Sequence, residues 1–400
     1  MDILGLLSSI GNFILRHPAI FIFYGIIIAL LIIFRKKIEV QAKIIFLYRM
    51  KWGLRWMDKV AQKRRPWIIL CGYIGAGVGF IGMIVISYVL IKNLVSLIVS
   101  PAATSGVSLV LPGMNIPGLG VLPFWYWLIA IFLIAITHEF SHGVVARAHN
   151  LKVKNTGLVM FGPIIGAFVE PDEKQIRKQE DIKQYSILAA GAFTNIVLAL
   201  VALLLLNFAF TPLQQTMVEP TGFTFESYFG ENMPAEQSGI LPGTLITEIN
   251  GQETKDFNSF SADLACLKPG DKLSLATPEK NYQLTLAENP DSPGKPFLGV
   301  YSITNQFAVK EPFKQGLGKI AYMVLDWWNG LLRWFFLLSL GIGLFNLLPL
   351  PIVDGGRMMQ VFLQSLKGKE KGDKVYKNIS IFFLLVLVLN LVFPYLLKLF

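Results

Sequence analysis

FWYWLIAIFLIAI, residues 124–136, runs without a break into THEFSH, residues 137–142. With the residues that follow, this apolar run is long enough to cross a bilayer, which takes roughly 20 residues of helix. Imidazole and carboxylate groups at membrane depth are costly, and side chains kept there are usually functional. His138 and His142 stand four apart, so on a helix they share one face about one turn apart. Two imidazoles at that spacing can hold one metal ion. Glu139, beside the first of them, can take a proton from a water on that ion. This is the HExxH arrangement of two ligands and a general base, and zinc lowers the pKa of such a water to about 7. The same pattern arises by chance in other chains. Here there are only 4 His in 400 residues, and two of them fall in the motif. His17 and His149 lie at span edges and read as interfacial.

Working outward, the chain is 54% hydrophobic with a mean hydropathy of +0.55, which marks a polytopic membrane protein. Six spans are expected, at about 18–34, 67–96, 123–146, 185–208, 328–350 and 378–398, with 313–327 as an amphipathic approach to the fifth. The net charge of +10 suggests a nucleic-acid binder until its distribution is read. Residues 35–65 carry eleven Lys/Arg against Glu39 and Asp58, between two apolar spans, and so read as a cytoplasmic loop lying along anionic headgroups. No nucleic-acid partner is expected. That loop puts the end of the third span inside, followed by Arg147, Lys152 and Lys154. It puts the end of the fifth inside too, followed by Lys367, Lys369, Lys371 and Lys374. Region 211–311 falls outside and carries 13 Asp/Glu against 6 Lys/Arg. Cys71 and Cys266 are too few and too far apart for a disulfide framework or a cysteine metal site. The first apolar run is followed by charge, so no cleavable signal peptide is expected.

A catalytic zinc usually has three protein ligands and one open position. The best candidate for the third lies in LFNLLPLPIVDGGR, residues 344–357. Asp354 falls at the cytoplasmic end of the fifth span, the same depth as HEFSH. Pro349 and Pro351 cannot continue a helix, and Gly355 and Gly356 permit tight geometry. Irregular backbone at this depth must be enclosed by protein or face water.

With these residues in view, the sequence resembles the site-2 protease family, the intramembrane zinc metalloproteases. HEFSH matches the family's HExxH, and Asn346, Pro349, Pro351, Asp354 and Gly355 match its NxxPxPxxDG. GAFTN, residues 191–195, resembles its third motif, and GAFVEPDE, residues 166–173, resembles the segment after the active-site helix in the archaeal and eukaryotic branch. Val353 stands where the family often has Leu. The resemblance implies one zinc per chain held by His138, His142 and Asp354, with Glu139 as base. It also implies that Asn195 and Asn346 sit near the site, positioning substrate or steadying the oxyanion; interhelical hydrogen bonding is the other use of Asn in membranes.

Residues 156–170 are apolar but broken by Gly157, Gly162, Pro163 and Gly166, too interrupted for a spanning helix. Two short runs about a Gly-Pro turn suggest a re-entrant β-hairpin whose edge could clamp an extended substrate by β-addition; a surface loop is the alternative. Region 215–306, with PAEQSGILPGTLITEING and LKPGDKLSL, looks like a PDZ domain, a class that binds extended peptides or chain ends at a sheet edge. It is expected over the outer mouth of the site, binding a peptide or acting as a spacer.

The expected fold is a polytopic α-helical membrane protein of about six transmembrane helices, with a re-entrant β-hairpin and one α+β PDZ-like exterior domain. Four segments are expected. Residues 1–66 hold the first span and basic loop, and 67–210 the membrane core with HEFSH and GAFTN. Residues 211–311 hold the exterior domain, and 312–400 the NLLPLPIVDGG motif and last span. The expected function is a multi-pass zinc endopeptidase of the cell membrane, cutting single-span membrane proteins near the cytoplasmic face among membrane lipids. A metal-ion transporter is the rival of another class; it lacks the inverted repeat such proteins carry. An inactive scaffold binding helices through the PDZ-like domain is the third reading.

Overall fold

In the computed structural model, residues 18–41, 45–99, 110–116, 120–161, 164–290 and 292–396 are described. His17 and the Gly162-Pro163 turn lie outside them. The chain divides into two units, one of residues 1–116, 120–204 and 331–400, the other of 117–119 and 205–330.

The first unit opens with α1, Pro18–Ile33. Strands β1, Ile38–Gln41, and β2, Ile45–Met50, follow, then α2, Leu54–Lys63, α3, Arg65–Val99, and α4, Phe124–Ala148. Strands β3, Val153–Phe161, and β4, Ile164–Pro171, form an antiparallel hairpin that leads to α5, Asp181–Leu205. The basic stretch 35–65 is therefore not a bare loop. Its strand β2 pairs with β3, Tyr48 opposite Leu158, so the hairpin is half of a four-stranded sheet ordered β1-β2-β3-β4. The pairing needs Gly157, because a Cβ there would strike the Tyr48 carbonyl and the Phe168 ring. Strand β4 is left with one free edge.

Helix α3 packs through a glycine stripe. A Cβ at Gly75 would stand 3.1 Å from Phe193, at Gly79 2.9 Å from Met358, and at Gly82 2.5 Å from Leu347. Lipid tails are as apolar as Leu, so helices in a bilayer associate through close approach of small residues. Ala76, Met83, Leu188, Ala189 and Ala192 are buried around the same contact.

The second unit contains β5, Val218–Tyr228, then β6, Glu248–Ile249, and β7, Gln252–Glu253. Helix α6, Phe257–Leu264, is followed by β8, Lys272–Ala276, β9, Asn281–Thr285, and β10, Val300–Val309. Strands β9-β8-β6-β7 form one sheet, and β10 pairs with β5 in another. Asn250 and Gly251 have φ of 51° and 78°, the positive pair that a tight hairpin turn between β6 and β7 requires. Phe223, Phe225, Ile240, Ile246, Phe260, Leu273 and Leu275 form its buried core, each adding about 1.5–3 kcal/mol by leaving water.

The chain ends with α7, Gly316–Phe345, α8, Asp354–Lys367, and α9, Lys369–Leu396. The amphipathic approach expected at 313–327 is mostly the first part of α7 itself. That helix stops at Phe345, ahead of both prolines. Asp354 does not end a span; it begins the separate helix α8. Among the described residues, five helices are long and apolar enough to cross a membrane, and α1 is a shorter apolar helix. The protein is a multi-pass, mainly helical membrane protein with a sheet-containing domain.

Candidate metal centre

Helix α4 is apolar around most of its circumference, and its polar groups are satisfied locally. Thr137 donates its hydroxyl to the Leu133 carbonyl at 2.8 Å and Ser141 to that of Thr137 at 2.7 Å. His138 and His142 are both buried, with their Nε2 atoms 3.2 Å apart. Asp354 arrives from the first turn of α8. Its position depends on a chain reversal closed by Gly355, which donates its N–H to the Asn346 carbonyl at 2.7 Å. Added methyls at Gly355 and Gly356 would strike the carbonyls of Leu347 and Leu350. The glycine pair therefore serves close packing at a helix start, not a turn.

Asp354 Oδ2 lies 3.1 Å from His138 Nε2 and 3.3 Å from His142 Nε2. It is buried, with no hydrogen-bond partner of its own among the described residues. Three lone-pair atoms thus converge within 4.8 Å of one another. Their spacing suits three corners of a tetrahedron about zinc: ligands at about 2.0–2.1 Å stand roughly 3.3 Å apart. Space for an ion is kept by Gly191 on α5. A Cβ at Gly191 would lie 2.5 Å from both Nε2 atoms, on the spot where they meet. Two nitrogens, one carboxylate oxygen and a hollow beside them fit a divalent metal.

The outward ring nitrogens are held by α5. His142 Nδ1 lies 2.7 Å from the Ile187 carbonyl, an acceptor that fixes the proton on Nδ1 and leaves Nε2 free to ligate. His138 Nδ1 meets the Asn195 amide at 3.0 Å. Asn195 Oδ1 has no other partner among the described residues. A ligating His138 also needs an acceptor at Nδ1, and a half-turn of the Asn195 amide presents Oδ1 there. Asn195 is wholly buried and is seated from behind, where Ser339 donates to its backbone carbonyl at 2.8 Å and a Cβ added at Gly343 would lie 3.1 Å from the Asn195 Cβ.

Glu139 turns to the sheet. Its Oε2 accepts the backbone N–H of Val169 on β4 at 3.0 Å. A cavity of about 320 Å³ opens between the metal group and the sheet edge, lined by His138, Glu139, Asp354 and Asn346 together with Ile165, Gly166 and Ala167 of β4. Four sequence-derived residues thus share one cavity wall, with His142 at its back and Asn195 behind His138. His149 stays apart, with Nε2 2.9 Å from Ser186 Oγ. Burial and the charges of Lys183 and Arg65 hold its pKa below the usual imidazole value. Sequence reasoning missed the Ile187 carbonyl and the Val169 amide, because backbone groups carry no residue signature.

The pattern that describes peptidase family M50 matches residues 126–389, more than half of the chain. An uncharacterized protein of Methanocaldococcus jannaschii is 25% identical over 62% of this chain and 60% of its own length. The zinc metalloprotease RasP of Oceanobacillus iheyensis is 24% identical over 50% of this chain and 56% of its own. The regulator of sigma-W protease RasP of Bacillus subtilis is 22% identical over 56% and 61%. The chain thus spans less than two thirds of the length of these relatives. The PDZ domain of the SdrC-like protein of Listeria monocytogenes is 27% identical over 20% of this chain and 85% of that domain, with a TM-score of 0.17.

Proposed function

Since the chain belongs to peptidase family M50, the site-2 proteases, we propose that it is a zinc endopeptidase that hydrolyses peptide bonds within the transmembrane segments of single-span membrane proteins. The observation that carries this reading is the cavity in which His138, Glu139 and Asp354 face the free edge of β4.

His138 Nε2, His142 Nε2 and one Asp354 oxygen would hold the zinc. When bound, zinc supplies Lewis-acid polarisation of a carbonyl and acidifies a water. The chain's own groups do the rest. Ile187 and Asn195 keep the two imidazoles oriented through their outer nitrogens. Glu139 takes the proton of the attacking water and delivers it to the amide nitrogen that leaves. A helical substrate must unwind for this, since its carbonyls are otherwise bonded within the helix. The free edge of β4 at 165–167 offers the unwound segment a partner strand. Asn346, on the cavity wall, stands where a substrate carbonyl or its oxyanion can be met.

The charge distribution supports a site near the cytoplasmic face and an acidic exterior second unit, where a PDZ-like domain would meet the exterior end of a substrate. The deciding experiment is cleavage of single-span test proteins in liposomes by wild type and Glu139→Gln, with zinc content measured on both. The expected result is a mutant that keeps zinc and loses about 10²–10⁴-fold in rate, the usual share of general-base catalysis. A wild type that holds zinc and cuts nothing, even with the second unit removed, would move a metal-ion transporter or an inactive scaffold ahead.

A further inference from the structure

On the side of α4 away from the metal group, two hollows of about 890 and 440 Å³ adjoin and share Trp56, Phe140, Ser141, Thr194 and Leu198. Lys51, Trp52 and Arg55 stand at the end of the larger hollow. The smaller continues between Trp67, Phe193 and Val197. The groove is thus cationic and aromatic at one end and apolar along its body.

Its charged side chains among the described residues are Lys51 and Arg55 alone. The hydroxyls of Thr137 and Ser141 donate to carbonyls of their own helix and have no hydrogen left to give an anion. Asp58, the one acid on α2, pairs with Arg147 at 3.1 Å. Among the described residues, Lys51 and Arg55 therefore have no carboxylate partner. The indoles of Trp52 and Trp56 are 78% and 59% exposed, as expected of rings at headgroup level. The Phe140 ring lies 4.3 Å from that of Trp56 and divides the two hollows.

A ligand that satisfies this groove has one anionic end and a long apolar body. A transmembrane helix does not: it fills apolar length but brings no anion to Lys51 and Arg55. We infer that the groove between α2, α4 and α5 is a binding site for one anionic phospholipid. Its phosphate lies between Lys51 and Arg55, and its acyl chains run past Phe140 toward Ile136 and Leu198. The inference is independent of the proteolytic reading, since it uses no residue of the metal centre.

The test uses the full chain, delipidated in detergent and offered phosphatidylglycerol, phosphatidylcholine or inorganic phosphate, with native mass spectrometry reading the adducts. One phosphatidylglycerol per chain is expected to be retained where phosphatidylcholine is not, and phosphate should not displace it. Lys51→Gln with Arg55→Gln should weaken retention about thirtyfold, the weight of two basic residues at a membrane surface. Lys36→Gln with Lys37→Gln, basic but outside the groove, should leave it unchanged. Leu198→Trp should block it with both cations in place. The inference is overturned by equal retention of both lipids, by a Leu198→Trp protein that keeps its lipid, or by equal loss in the Lys36/Lys37 variant. Displacement by phosphate, or by a single-span peptide lacking acidic residues, would overturn it as well.

Discussion

Val169 gives its backbone N–H to the carboxylate of Glu139 at 3.0 Å, which fixes how strand β4 faces the cavity. Alternate residues of a strand point their backbone groups the same way, so Ile165 and Ala167 also present N–H groups to the free edge. Those of Gly166 and Phe168 face β3. Ala167→Pro should therefore lower turnover at least tenfold and leave zinc content unchanged, since proline is tolerated where a strand N–H points off the sheet. Phe168→Pro should instead destabilise the hairpin by removing a ladder bond. Cleavage rate and metal content of the two variants, read side by side, check the assignment; equal behaviour would show that the edge plays no part in holding substrate.

Gly191→Ala makes the opposite separation. Alanine is better than glycine in a helix by about 1 kcal/mol, so α5 should persist. The new methyl would stand 2.5 Å from both ligand nitrogens and occupy the place of the ion. The expected outcome is a folded protein with zinc reduced to background and no cleavage. Metal analysis with circular dichroism checks it, and full zinc occupancy would mean the ion sits elsewhere.

Asn195→Ala removes the group behind His138 Nδ1. Partners behind a metal ligand typically contribute 10–100-fold in affinity or activity, so zinc affinity should fall within that range. Asn195→Asp, which restores an acceptor, should recover much of it. Competition with a chelator of known affinity measures both. Similar losses in the two variants would instead point to packing against Ser339 and Gly343.

A pH effect is expected in the second unit. Asp256 caps α6 by accepting the N–H of Ser259 at 2.8 Å, and this bond holds its carboxyl below the usual value. A depressed folded-state pKa stabilises above the unfolded value of about 3.9 and is lost as pH falls through the folded value. Hydrogen exchange of residues 257–264 should be flat with respect to this group from neutral pH to about 5, then accelerate as the cap is protonated. Asp256→Asn, which caps without a charge, should remove that acid limb.

Much of the site was legible because its residue types are rare and their spacing is chemical. His138, Glu139 and His142 could be placed on one helix by counting, and Asp354 at their depth by charge alone. What could not be read was non-local or made of backbone. Strand β2, IFLYRM, sits in a basic stretch, and its pairing with β1 and with the distant β3 makes it a strand. Helix α8 was hidden because Asp354 read as the end of a span; it begins a helix in which the carbonyls beside Gly355 and Gly356 leave no room for a side chain. The glycine stripe of α3 carries no reading in the sequence alone, since its meaning lies in what it touches.

The link between β2 and β3 also bears on the order in which the protein is made. Met50 and Thr156, which share a hydrogen bond, are 106 positions apart. Pairing over such a distance is slow to form, and here α3 and α4 lie between the partners. While these helices enter the bilayer, β2 has only β1 for a partner, and β3 and β4 are not yet synthesised. The nascent chain then carries two ligands and a base but neither Asp354 nor a completed sheet beside them. On the proteolytic reading proposed above, an unfinished chain cannot cut its neighbours until α8 has emerged from the ribosome and brought Asp354 to the site.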